Sequence, residues 1–183
     1  MIIITVICGS FFLLGLLFQA EWRSYQISCK TEEELMAELR AVAMEGVALA
    51  ALEYPAHCSR SSGLNPWSLI GGWRGLRQMH ANSALLLALA AQAQAWDRQS
   101  SVLALQGMRE DLLQLRRAVL LDMWDRAIAR GGDLSDLHVH RAAFAYYDMT
   151  ERLLKLYRHS PSRLYTHLEN ALWPGLNAAP GSV

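Results

Sequence analysis

The chain has few of the features that specify a reaction. Its three cysteines, Cys8, Cys29 and Cys58, form no CxxC pair, and Cys8 lies inside an apolar run. Neither a disulfide framework nor a zinc site is therefore written here, and free structural thiols are expected. No GxSxG, P-loop or GxGxxG context occurs. Gly71-Gly72-Trp73-Arg74-Gly75 lacks both the Lys-Ser/Thr end and the preceding strand of a phosphate loop. Period-2 alternation of β-branched residues is missing, which argues against a sheet. Charge of one sign does not prevail: 17 basic residues stand against 17 acidic ones in 183, so there is no global pull toward nucleic acid. With 52% hydrophobic and 19% charged residues, the chain is also unlike a disordered one and suits a single core.

What is present begins with an uncharged apolar run from Met1 to Phe18, interrupted only by Thr5, Gly9, Ser10 and Gly15. As a helix it would reach about 27 Å, close to one hydrocarbon thickness. No basic n-region precedes it, and Phe18-Gln19-Ala20 puts a bulky residue where signal cleavage wants a small one. The run is thus read as an uncleaved single-pass anchor. Arg23, Lys30 and Arg40 follow it and no basic side chain precedes it, which by the positive-inside rule predicts a cytoplasmic domain. Trp22 and Tyr25 stand where an aromatic belt would place them.

Beyond the anchor the helical period dominates. Thr31 and Glu34 form a capping box, with Glu32, Glu33 and Glu34 at the positive end of the dipole. Leu35, Leu39, Val42, Gly46 and Leu49 predict one continuous helix to about Glu53, ended by Pro55. Asn65-Pro66 opens a second helix, interrupted or kinked by Gly71-Gly72 and Gly75 and running through Ala81 to Trp96, with Ala84 to Ala91 apolar on every side and so enclosed by its neighbours. A third, from about Ser101 to Ala129, carries Leu105, Met108, Leu112, Leu115 and Val119, joined by Leu113, Leu120 and Trp124 on an adjoining face, a breadth that suits a bundle member. Gly131-Gly132 stops it. The fourth opens at Asp133 or Ser135 with the stripe Ala142, Tyr146, Met149, Leu153 and Leu156, and Ser160-Pro161 starts a short last helix ended by Trp173-Pro174. The expected fold is all-α. A membrane anchor at 1–20 and a juxtamembrane linker at 21–30 precede an antiparallel bundle of about four helices plus a short C-terminal helix at 31–173, with a flexible tail at 174–183.

Three groups of residues are candidates for function. Trp67, Ile70, Trp73, Arg74 and Arg77 lie in a stretch without an acid between Glu53 and Asp97, the composition of a helix lying in a membrane interface. The bland alternative is packed tryptophans with solvated arginines. Arg141, Tyr147, Arg158 and Arg163 belong to a C-terminal third with the aromatic and arginine content of a protein-binding surface. His138 and His140 beside Asp133 and Asp136 are the only clustered metal-ligand types, but spacing i,i+2 directs two imidazoles apart on a helix, so one is expected to cap the helix start and the other to be exposed. No catalytic, cofactor-binding or metal residue is assigned. The function expected is that of a membrane-anchored, non-enzymatic adaptor or assembly subunit. Its partners would be lipid through residues 1–20 and a protein of a membrane complex, with no nucleic acid. A membrane-tethered enzyme or metal-binding bundle using His138, His140 and nearby carboxylates is the alternative.

Overall fold

The computed structural model describes residues 30–53, 65–95, 98–127, 133–158 and 164–173. The anchor, the linker up to Cys29, Cys58, Arg60, Arg163 and the tail lie outside them. Among the described residues the protein is all-α: α1 (Glu32–Glu38), α2 (Met44–Glu53), α3 (Pro66–Leu69), α4 (Gly72–Gln92) followed by a 3₁₀ turn at Ala93–Ala95, α5 (Arg98–Ala127), α6 (Asp133–Arg158) and α7 (Leu164–Leu172). None of these helices is long and apolar enough to cross a membrane.

Several boundaries follow from local chemistry. The Glu34 amide donates to Thr31 Oγ1, and the Thr31 amide donates to Glu34 Oε2 at 3.0 Å, the reciprocal capping box. Asn65 caps α3 by accepting from the Trp67 amide at 2.9 Å, with Pro66 in the first turn. Gly71 and Gly72 both have positive φ, 77° and 64°, a pair of left-handed residues that separates α3 from α4.

The first helix departs from expectation. It is broken at Leu39, whose ψ of 124° is extended, and helix resumes only at Met44. No breaker occupies Leu39-Arg40-Ala41-Val42-Ala43. The cause is tertiary: the Arg40 amide donates to Asn82 Oδ1 at 3.0 Å, and Asn82 Nδ2 donates to the Arg40 carbonyl at 2.7 Å. The break resets the register. Val47, Ala50 and Ala51 of α2 enter the core while Leu49 and Leu52 are left exposed, so the predicted stripe through Gly46 and Leu49 does not hold beyond Val42.

Hydrogen bonds across the bundle fix the directions of its helices. Gln92 Nε2 donates to the Lys30 carbonyl at 2.6 Å and Asn82 to that of Arg40, so α1 and its exit run against α4. Tyr157 Oη donates to Glu32, and His140 bonds Ala50, so α1–α2 also runs against α6. α4 and α6 accordingly run the same way, as the Asn82–Tyr146 and Leu89–Tyr157 bonds confirm. α5 and α6 share the most extensive contact, meeting at Asp111 and Arg152. The core comprises Leu86, Leu89, Met108, Leu115, Tyr146, Met149, Leu153 and Tyr157 with Leu35 and Leu168. The predicted α6 stripe, Ala142 through Leu156, is buried throughout.

Candidate interaction surface

The histidines are separated by the helix that carries them. His140 is fully buried, and its Nδ1 lies 2.8 Å from the Ala50 carbonyl. A carbonyl only accepts, so Nδ1 carries the hydrogen. Ala50 is in the last turn of α2, where carbonyls have no intrahelical donor, and His140 supplies one from a neighbouring helix. This corrects the expectation of one capping and one exposed histidine: His140 is a core residue terminating α2, and His138 is half-buried. Among the described residues no three His, Cys, Asp or Glu side chains gather to hold a metal ion.

The i,i+4 spacing pairs Asp148 with Arg152, and Glu151 with Lys155, from sequence alone, and both pairs form; the sequence does not place Asp111 of α5 beside the first. Arg152 bonds Asp148 through Nε at 2.8 Å and Nη2 at 2.6 Å, and its Nε lies 3.3 Å from Asp111 Oδ2. The guanidinium passes over Gly107, where a Cβ would meet it. Burial, and then the negative charge of Asp148, push the Asp111 carboxyl up to about 6, with Arg152 opposing. The folded protein therefore holds the Asp111 proton more tightly than the unfolded chain. The stabilisation this gives is complete below the ordinary aspartate range and is lost as pH rises through about 6. Asp111→Asn is expected to raise stability at pH 7 by about 1–2 kcal/mol and to flatten its pH dependence between pH ~4 and ~6. Chemical denaturation across that range checks it.

The residues proposed for a membrane surface are split by the glycine turn. Ile70 is buried, as is Leu76, and Trp67 is half-buried beside Gly72. Ile70 therefore does not fit a lipid-facing role: the left-handed pair prevents α3 and α4 from presenting one continuous face. Trp73 (41% exposed), Arg74 and Arg77 do stand on the surface of α4. Trp73, Arg77 and His80 line an open depression of about 580 Å³ with Arg116, Val119, Leu120 and Met123 of α5.

That depression ends a longer feature. Leu113 and Leu120 are each 64% exposed, and Val102, Leu103 and Met123 are exposed on the same helix. At 3.6 residues per turn Val102, Leu113 and Leu120 share one line. The adjoining face of α5, expected to join the bundle, is thus left uncovered at Leu113 and Leu120, whereas Leu105, Met108, Leu112 and Leu115 form the inner face.

The partner-surface candidates are dispersed. Tyr147 packs edge-on against Trp173, ring centroids 6.5 Å apart at 80°. Arg141 is half-buried and Arg158 is exposed, about 25 Å from each other along the helix axis. Tyr146 and Tyr157, by contrast, are core residues whose hydroxyls bond inside the protein.

Compared with known proteins, the chain matches no family model, no curated protein and no solved structure. Its described residues define a helical bundle.

Proposed function

We propose that the chain is a single-pass membrane protein, anchored by Met1–Phe18, whose antiparallel bundle lies in the cytoplasm. There it works as a non-enzymatic adaptor or assembly subunit of a larger membrane complex. The observation that carries the membrane location is the uncovered apolar line of Val102, Leu113 and Leu120 along α5, since exposed apolar side chains on a helix otherwise built into the core mark a surface for a membrane or a partner. The anchor supplies the location, and the arginine and tyrosine residues of α6, Arg141, Tyr147 and Arg158, with Arg163 beyond them, supply a candidate protein contact. The alternative of a tethered enzyme or metal site gains nothing from His140, whose Nδ1 is committed to the Ala50 carbonyl. Stoichiometric metal in the purified chain, lost on replacing His138 and His140 by alanine, would reverse that preference.

A photo-crosslinking residue at Tyr147 or Arg158 in the full chain, activated in its native membranes, tests the adaptor reading. A discrete higher-mass product that disappears in Arg141→Glu/Arg158→Glu is expected. A clean monomer from both positions would overturn it. Orientation is checked with an impermeant thiol reagent: Cys29 and Cys58 should label only after cell lysis, and labelling of intact cells would place the bundle outside.

A further inference from the structure

Among the described side chains, exposed charge on the α4–α5 side is strongly one-signed although the chain as a whole is neutral. α4 contains no acidic residue, and Glu110 is the only exposed acid among the described side chains of α5. Against it stand Arg74 and Arg77 on α4 and Arg109, Arg116 and Arg117 on α5, all exposed. Among the described residues none of these five arginines enters an ion pair. Val102, Leu113 and Leu120 lie on one line among them, with Met123 beside Leu120 and Trp73 at one end. The apolar strip is about 30 Å long. Its last part, from Arg116 to Met123, borders the open depression shared with Trp73, Arg77 and His80.

We infer that this face of α5, with the Trp73 end of α4, rests on the anionic surface of a lipid bilayer. Charge complementarity selects the occupant, since arginines along an apolar strip place their stems on hydrocarbon and their guanidiniums among lipid phosphates. Location separates a bilayer from an acidic partner helix, since a bundle tethered at a membrane meets the lipid surface first. The inference rests on the anchor reading for its location, and it adds a posture. Lys30 is held at the C-terminal end of α4 by Gln92, so Trp73 lies roughly 30 Å from where the chain arrives. An upright bundle would hold Trp73 in water. One lying flat brings the whole strip to the bilayer, within reach of a linker of about ten residues, which spans up to ~35 Å.

The test uses the full chain with Cys8, Cys29 and Cys58 replaced by serine, carrying a nitroxide at Leu120→Cys or at Phe11→Cys. It is reconstituted into vesicles of phosphatidylcholine alone or mixed with phosphatidylglycerol. Collision with oxygen reports lipid, and collision with a water-soluble nickel chelate reports solvent. The Leu120→Cys label should become oxygen-accessible and nickel-protected in the mixed vesicles and remain nickel-accessible in pure phosphatidylcholine. Changing Arg109, Arg116 and Arg117 together to glutamine should lower the lipid-embedded population roughly 100-fold, at about a factor of five per cation. The corresponding lysine variant should retain it, which a purely structural effect would not produce. Nickel access at Leu120→Cys in anionic vesicles overturns the inference. So does protection from both reagents with spin–spin coupling, which would identify a second copy as the cover. The Phe11→Cys label reports the anchor separately: lipid at Phe11 with water at Leu120 sinks only this inference, and the reverse sinks only the anchor.

Discussion

Asn82→Ala should be the most destabilising single polar substitution in the described bundle, lowering stability by about 3–5 kcal/mol. The side chain is fully buried and makes three hydrogen bonds: it accepts from the Arg40 amide, and it donates to the Arg40 carbonyl and to Tyr146 Oη at 3.1 Å. The first two hold open the gap between α1 and α2, so alanine leaves the Arg40 amide and carbonyl without their Asn82 partners, at about 1–3 kcal/mol each. Tyr146→Phe removes only one acceptor and should cost about 1 kcal/mol. Burial pushes the Tyr146 hydroxyl up to about 12, so it is neutral near pH 7. Urea denaturation of the three proteins side by side gives the comparison. An Asn82→Ala loss no larger than that of Tyr146→Phe would mean that the α1–α2 break is set by something else.

Gly46→Ala should cost about 3 kcal/mol, through backbone overlap rather than lost contact. A Cβ at Gly46 would fall well inside van der Waals contact of the Leu69 carbonyl oxygen, and one at Gly75 would meet the Ile70 carbonyl in the same way. Neither neighbour is a flexible side chain that could swing aside. Gly71→Ala is the informative control, because nothing lies within 4 Å of a Cβ there and only its φ of +77° opposes the change. Its cost should be nearer 1–2 kcal/mol. Thermal unfolding should therefore rank Gly46→Ala below Gly71→Ala, and equal midpoints would contradict the close approach of α2 to α3.

These two sites mark how far the sequence was legible. Helix starts were readable because they are local: Thr31 with Glu34, and Asn65 with Pro66, complete their hydrogen bonds within a few residues. The glycine interruption was readable for the same reason, as positive φ is a property of the residue itself. The α1–α2 break was not, because its cause is Asn82, 42 residues from Arg40, and the intervening residues are ordinary helix formers. His140 was misplaced by the same limitation. Its neighbours in sequence suggested a helix start, but its partner is the end of another helix. Of the residues grouped from sequence, Trp73, Arg74 and Arg77 are exposed on α4. Ile70 is buried instead, because a helical wheel drawn through Gly71-Gly72 continues a face that the chain abandons. The outer line of α5 was hidden by its own richness, since leucines on two faces of one helix do not say which face the bundle covers.

The burial of Asp111, and the rise in its carboxyl that follows, required knowing that α6 brings Asp148 and Arg152 to it. A carboxylate pair sharing one guanidinium is a packing arrangement here: Arg152 crosses the α5–α6 contact at Gly107, where the absence of a Cβ leaves room for it. Such pairing accounts for a pH-dependent stability without implying chemistry.

The central claim, that this bundle is held at a membrane by Met1–Phe18, is tested most directly by alkaline extraction of membranes containing the full chain. The account predicts that the protein stays in the membrane pellet, and that Leu13→Arg with Leu14→Arg, at about 2.5–3.5 kcal/mol for each charge at the centre of a span, releases it. Recovery of the unaltered chain in the alkaline supernatant would contradict it.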